Sequence, residues 1–151
     1  MPRPPAVSGR GATLGAMSIS LRDSARTLLD AAHPAVLATI NADGSPQSSV
    51  VWVGLDGDDL LISSQAGRLK ERNLRRDPRA SLTVYDPADS DHYVEVRGTC
   101  TVTEDEGRRL AVALAEKYEG PGAGDEYLAL PPESVRVIIR ITPTRVVGSA
   151  A

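Results

Sequence analysis

Apolar positions recur along this chain in two rhythms, one helical and one alternating. Leu21, Ala25, Leu28, Leu29 and Ala32 repeat at helical spacing, and Ser20 with Asp23 has the form of a capping box. The spacing predicts a helix from about Ser20 to Ala32, stopped by His33-Pro34. Ala35 to Ile40 is an apolar run of buried-strand length, and Ala42-Asp43-Gly44-Ser45 supplies hairpin turn chemistry before a second strand, Gln47 to Leu55. Asp56-Gly57-Asp58-Asp59 makes the next turn, and Leu60 to Ser64 completes a three-stranded meander. Past a basic stretch that ends at Pro78, Ala80, Leu82 and Val84 alternate with Ser81, Thr83 and Tyr85. The following strand puts Val94, Val96, Gly98, Cys100 and Val102 on one face and Tyr93, Glu95, Arg97, Thr99 and Thr101 on the other. Thr103-Glu104-Asp105-Glu106 reads as a capping box, Leu110, Leu114 and Tyr118 mark a helix to near Gly120, and a Gly/Pro loop leads to a last strand of Val135, Val137, Ile139 and Ile141 before Pro143.

Six strands and two to three helices result, with connections mostly too short for parallel crossovers. The expected fold is therefore mainly β (α+β), an antiparallel sheet closed into a small barrel with flanking helices. At 151 residues a single domain is expected, and no internal repeat is visible. Residues 1–17 read as a disordered tail, or as an over-long start with Met17 as an alternative initiator, which leaves 18–151 as the folded domain. The single cysteine excludes an intrachain disulfide framework and fits a reducing, cytoplasmic setting. No apolar run approaches the roughly 20 residues of a membrane span, and the N-terminus lacks the apolar core of a secretory signal.

Charge singles out one segment. Residues 68–79 carry six basic and two acidic side chains, a local +4 in a chain that totals -3, so the remainder sums to -7. A positive island on an acidic protein points to a local anion site. As a helix beginning near Gly67, the segment places Arg68, Arg72, Arg75 and Arg76 on one face and Lys70 between Leu69 and Leu74 on the other, toward the body. The turn Ser63-Ser64-Gln65-Ala66-Gly67 is expected to offer hydroxyls and free backbone N–H groups to an anion at the helix start, with phosphate as the natural guest. A solvated basic face is the other reading of the same residues. A nucleic-acid track is a third, opposed by the acidic remainder, the scarcity of aromatic residues and the lack of any recognition motif.

Elsewhere the chain offers little chemistry of its own. Gln47, Ser48 and Ser49 are a hairpin end or a ligand edge, Trp52 reads as core or interface packing, and Cys100 reads as an inert core thiol among valines. Two isolated histidines, His33 and His92, without Cys/His spacing do not make a metal site. No triad or paired-carboxylate arrangement is visible, so an enzyme of this composition needs a cofactor to bring the reactive atom.

Two segments carry a family resemblance. Ala35-Val-Leu-Ala-Thr-Ile-Asn-Ala-Asp-Gly-Ser-Pro-Gln47 and Lys70-Glu-Arg-Asn-Leu-Arg-Arg-Asp-Pro-Arg-Ala-Ser-Leu82, with the ending Ile141-Thr-Pro-Thr-Arg-Val-Val-Gly148, resemble the pyridoxamine 5'-phosphate oxidase-like split barrels. The likeness is closer to their actinobacterial branch that uses the deazaflavin coenzyme F-420, and it spans residues 20–149. The resemblance implies a six-stranded split barrel forming a homodimer, with flavin-type sites at the subunit interface. It also implies that Lys70 binds the cofactor phosphate with Arg68 as a second basic ligand, that Ser63 and Ser64 assist, that Gln47 and Ser49 lie beside the ring, and that Arg72 and Asn73 join the site. Members that use flavin mononucleotide (FMN) pair Arg and Lys directly. Here the order is Arg68-Leu69-Lys70, which favours F-420 and keeps FMN as the alternative.

The implied activity is transfer of a hydride from reduced deazaflavin to a conjugated small-molecule acceptor such as a tetrapyrrole or quinone. Tyr85, His92 and Tyr93 are candidate proton donors. A non-catalytic F-420 carrier and an FMN-dependent oxidase or reductase are the alternatives. Vitamin biosynthesis is not expected, since pyridoxamine phosphate-specific features are lacking and the chain stops soon after Gly148.

Overall fold

Residues 19–151 are described by the computed structural model, so the tail expected over residues 1–17 lies outside the described residues. The elements are α1 (Asp23–Asp30), β1 (Ala35–Ile40), β2 (Pro46–Val51), β3 (Gly54–Asp56), β4 (Asp59–Gln65), α2 (Leu69–Arg76), β5 (Arg79–Asp86), β6 (Asp89–Glu104), α3 (Arg109–Glu119), α4 (Asp125–Leu128) and β7 (Arg136–Val147). Among the described residues no helix is long and apolar enough to cross a membrane.

The strands form one antiparallel sheet in the order β2-β1-β5-β6-β7-β4-β3. Its two edge strands, β2 and β3, are consecutive in the chain and separated only by Trp52 and Val53. So short a link forces the sheet to curl until its edges approach, which makes it a barrel. The single strand expected over residues 47–55 is thus two strands, and the sheet has seven strands rather than six. Backbone groups at the break are satisfied from α3 instead of from a ladder: Val53 N–H donates to Tyr118 Oη at 3.2 Å, and the Val53 carbonyl accepts from Lys117 Nζ at 2.6 Å.

Alternation fills the interior with Leu37, Leu60, Ile62, Leu82, Val84, Val94, Val96, Ile139 and Ile141, joined by Leu28 and Leu29 of α1. The helix starts differ from expectation. No side chain caps α1, where the Leu21 N–H instead donates to Asp58 at 3.0 Å. Thr103 and Glu104 remain in β6, and Asp105 serves α3 by accepting from the Leu110 and Ala111 N–H groups at 3.0 to 3.1 Å. The polar segment Asp86–His92 is mostly hairpin, because β5 runs to Asp86 and β6 starts at Asp89. β7 passes through Pro143 to Val147, its register against β6 shifting between Arg97 and Gly98.

Candidate functional site

Strand β4 carries Ser63 and Ser64 to the end of the sheet, the chain turns through Gly67 with φ +93°, and α2 follows. β7 runs antiparallel to β4 with Arg136 opposite Gln65, which brings a second basic side chain to the same place as the start of α2. Ser63, Ser64, Arg68, Lys70 and Arg136 line a cavity of about 230 Å³. Its other walls are Val50, Val51 and Trp52 at the β2–β3 crossover, Ala111 and Leu114 of α3, and Tyr127 of α4.

The polar side of this cavity is an anion site by composition. Among the described residues none of Arg68, Lys70 and Arg136 is ion-paired to a carboxylate, and no carboxylate or histidine lines the cavity. Burial, followed by the charges of Arg68 and Arg136, holds the Lys70 ammonium below its ordinary range. Arg136 is also lowered, mainly by burial. Its Nη2 donates to Ser63 Oγ at 2.9 Å, its guanidinium carbon lies 5.0 Å from the Tyr127 ring centroid, and its Nε is buried without an acceptor among the described residues. Because Ser63 Oγ accepts that bond, its own hydroxyl hydrogen stays available to a ligand. Ser64 is buried and spends its hydroxyl on the Gln65 carbonyl at 3.3 Å.

The turn ahead of α2 differs from the expected nest of free N–H groups. Gly67 N–H donates to Glu71 Oε1 at 2.5 Å, Ala66 N–H to the Val135 carbonyl and Arg68 N–H to the Gln65 carbonyl. Glu71 closes the turn from one helical turn further on, and the Gly67 N–H is the main reason its carboxyl sits below the usual range. These three turn N–H groups are therefore already engaged, and any backbone donors left to an anion are those of the first turn of α2.

Helical phase sorts the basic residues nearly as expected. Arg72, Arg75 and Arg76 are exposed, Lys70 is half-buried and Leu74 is buried, but Leu69 is exposed and the inward positions are Glu71 and Asn73. Arg75 pairs with Glu71 at 2.8 Å, Arg79 pairs with Asp77 at 2.7 Å, and Arg76 donates to the Ile40 carbonyl and to Asn73 Oδ1. These cations are engaged in holding α2 and its flanks.

Four of the expected site residues do not line the cavity. Asn73 is 1% exposed and its Nδ2 donates to Thr39 Oγ1 and Asn41 Oδ1, both at 3.0 Å, so its amide ties α2 to β1. Gln47 accepts from Thr39 Oγ1 at 2.8 Å within the same network. Ser49 has a buried Oγ without a partner among the described residues and shares a face of β2 with Val51. Arg72 is on the solvent side of α2. Tyr85, His92 and Tyr93 lie on β5 and β6 around their hairpin, and none lines the cavity. Burial pushes the Cys100 thiol up to about 12, as befits a core thiol. Trp52 stacks on Tyr118, with centroids 5.3 Å apart and planes 11° from parallel.

Sequence reasoning missed Arg136 and Tyr127. The available signal for Arg136 was a cation interrupting Val135 and Val137 at the start of the last strand, whereas Tyr127 sits in the Gly/Pro-rich stretch with no periodicity to place it. A larger groove of about 780 Å³ runs over β1, β5 and β6 and includes Ala38, Ile40, Pro46 and Thr99; the two arginines on its rim, Arg79 and Arg97, are paired with Asp77 and Glu95.

Comparison with known proteins gives concordant results. The family model for pyridoxamine 5'-phosphate oxidase matches residues 21–149. An F420H(2)-dependent biliverdin reductase from Mycobacterium tuberculosis (strain CDC 1551 / Oshkosh) is 29% identical over 136 residues, covering 86% of this chain and 89% of its own length. Among solved structures, an F420 reductase is similar with a TM-score of 0.72 and 31% identity, covering 84% of this chain and 98% of its own. A conserved hypothetical protein from Mycobacterium tuberculosis follows at a TM-score of 0.68 and 25% identity, over 85% and 84% of the two chains.

Proposed function

This chain belongs to the pyridoxamine 5'-phosphate oxidase family, and from that premise we propose that it is a reductase using coenzyme F-420 to deliver a hydride to a conjugated small-molecule acceptor. The observation that carries the reading is the convergence of Arg68, Lys70 and Ser63 on one cavity that lacks a carboxylate among the described residues, in a chain similar to an F420 reductase and an F420H(2)-dependent biliverdin reductase. The donor set fits a phosphate: two cations free of carboxylate partners among the described residues, and a serine with a hydrogen to give.

On this reading Lys70 and Arg68 hold the cofactor phosphate and Ser63 donates to it, while Ser64 builds the wall behind. The apolar residues Val50, Val51 and Trp52 take the ring side, with Ser49 further along β2. When bound and reduced, the deazaflavin supplies a hydride from its C5. The chain's task is then to fix the ring's orientation and keep water from it. A cavity of about 230 Å³ is smaller than the roughly 300–1,000 Å³ of ordinary ligand pockets, so it accommodates the phosphate end and leaves the rest to a second surface. Val50, 75% exposed on an edge strand beside the cavity, supports a second copy of this chain as that surface, giving a homodimer with shared sites. A tetrapyrrole is the acceptor class with the most support, from the named activity of the biliverdin reductase relative.

A carrier that binds F-420 without turnover is the second reading, favoured by the lack of a carboxylate or histidine among the cavity-lining residues. Titration with oxidised F-420 and with FMN, followed by a turnover screen of reduced F-420 against tetrapyrroles and quinones, tests both. Submillimolar binding of F-420 and oxidation by a tetrapyrrole is the expected result; tight binding without turnover leaves the carrier, tighter FMN binding exchanges the cofactor, and binding of neither overturns the assignment.

A further inference from the structure

We propose that Arg108 is a positioning residue for the ligand of this cavity: its guanidinium holds the strap 127–134 in place and, through Tyr127, sets how long a bound molecule stays. The inference rests on reading the cavity as the F-420 site, whereas the hold on the strap stands without that reading.

Little else orders this segment. α4 is four residues long and none of them is buried, Leu128 being 59% exposed. Residues 129–134 belong to no helix or strand, and Pro131 and Pro132 have no N–H to give. The two ends are fastened. Gly124 lies so close to α3 that a Cβ there would fall 2.5 Å from Val112 Cγ1, and the Val135 carbonyl accepts from Ala66 N–H at 2.9 Å. Between the ends the hold is polar. Arg108 Nη1 donates to the carbonyls of Tyr127 at 3.1 Å and Leu130 at 2.8 Å, and Nη2 to those of Pro131 at 2.5 Å and Ser134 at 3.1 Å. A planar fork of donors meets acceptors at several separate points, which a single ammonium does not.

The backbone under this side chain is strained. Arg108 has φ 56° and ψ 30°, directly after Gly107 at φ 75°, and among the described residues it is the one non-glycine residue in the left-handed region. Such a conformation persists where the surroundings fix it, and here the four carbonyls do so. Carboxylates are also within the same hollow, lined by Glu104, Asp105 and Arg108. Among the described residues neither is ion-paired with Arg108, and Asp105 instead accepts from the Leu110 and Ala111 N–H groups of α3. The guanidinium is thus given over to the strap.

Tyr127 is the strap residue that lines the cavity, where its ring lies 5.0 Å from the guanidinium carbon of Arg136. With the strap loose this wall is lost, and an incoming ligand has to order it again. Affinity differences among variants of one site fall mainly on dissociation, so a wall fixed in advance lengthens the stay of the ligand.

Stopped-flow displacement of F-420, read by its fluorescence, and amide exchange of the cofactor-free protein test this. Arg108→Gly removes the fork and suits the left-handed backbone, so it loosens the strap without straining the chain. It is expected to speed F-420 dissociation about tenfold with little change in association. Exchange at Tyr127–Leu130 and Ser134 is expected to quicken while β6 and β7 stay protected. Because Arg108 acts through Tyr127, the same change in a Tyr127→Ala protein is expected to speed dissociation by less than about twofold. Unchanged dissociation or unchanged exchange in a folded Arg108→Gly protein overturns the proposal, and so does a full additional effect in the Tyr127→Ala background. If the wild-type protein binds no F-420, the proposed function falls and exchange alone decides: quickened exchange in Arg108→Gly keeps Arg108 as the residue that positions this wall, and unchanged exchange removes it. Should Arg108→Gly fail to fold, Arg108→Lys is the second variant, since its ammonium does not span the four carbonyls. A several-fold faster dissociation then supports the proposal, and the wild-type rate overturns it.

Discussion

Lys117 donates from Nζ to the Val53 carbonyl at 2.6 Å, fastening α3 to the two-residue crossover on which closure of the barrel depends. The same ammonium donates to the Leu29 carbonyl at 2.7 Å, and its neighbour Tyr118 donates to the His33 carbonyl at 2.9 Å while accepting from Val53 N–H. One turn of α3 therefore joins the end of α1 to the break between β2 and β3. Lys117→Met keeps the aliphatic stem and strands two carbonyls, which is expected to cost about 3 kcal/mol in urea unfolding. A loss under about 1 kcal/mol would mean that water replaces the ammonium at both carbonyls.

That crossover is also where the sequence was hardest to read. Alternating and continuous apolar runs revealed the rest of the sheet, because burial of one face imposes period two on β5, β6 and β7. Residues 47–55 carry only Gly54 as a break signal, since Trp52 and Val53 are good strand formers and the other edge of the sheet is what shows that the chain changes partners there. The site divides in the same way. Helical phase was enough to separate Lys70 from the exposed arginines, whereas Asn73 is polar for a structural reason, its link to Thr39 and Asn41, that no spacing reveals. Arg136 and Tyr127 reach the cavity by strand pairing and a loop path, both long-range properties.

Lys70 gives a pH-dependent prediction. Its folded-state pKa lies below the 10.5 of a free lysine, chiefly through burial and then through Arg68 and Arg136. Between the folded value and 10.5 the unfolded chain binds more protons, so the free protein gains stability as pH rises through that window. Ligand binding runs the other way, because it requires the charged ammonium. On the proposed function, F-420 affinity measured by fluorescence falls as pH is raised from neutrality toward 10.5, and Lys70→Arg, which stays charged, removes the fall. Lys70→Ala is expected to weaken binding by about tenfold or more at neutral pH. Equal affinity in the alanine variant would place the phosphate elsewhere.

Cys100, on the inward face of β6, is 8% exposed, and burial raises its thiol to about 12. The thiolate is the reactive form, so the folded protein is expected to react negligibly with a disulfide reagent at about pH 8, and the denatured protein to react completely within minutes. Prompt reaction of the folded protein would show that β6 opens locally on that timescale.

Gly98 sits where the β6–β7 register shifts, paired with Pro143. A Cβ at this position would lie 2.1 Å from the Thr142 carbonyl oxygen, 2.8 Å from its carbon and 2.9 Å from Ile141 Cγ2. The first two are backbone atoms of the facing strand, so no side-chain rotation relieves the clash and the strands must part. β6 and β7 form the longest ladder in the sheet and lie between β5 and β4, so parting them disturbs Ile139 and Ile141 in the interior. Gly98→Ala is therefore expected to destabilise the protein by about 3 kcal/mol or more in urea unfolding, at the upper end for overpacking a core. A cost below about 1 kcal/mol would mean that β7 can move its shift by one residue, in which case amide exchange from Ile141 to Arg145 should quicken in the variant while that of β5 stays unchanged.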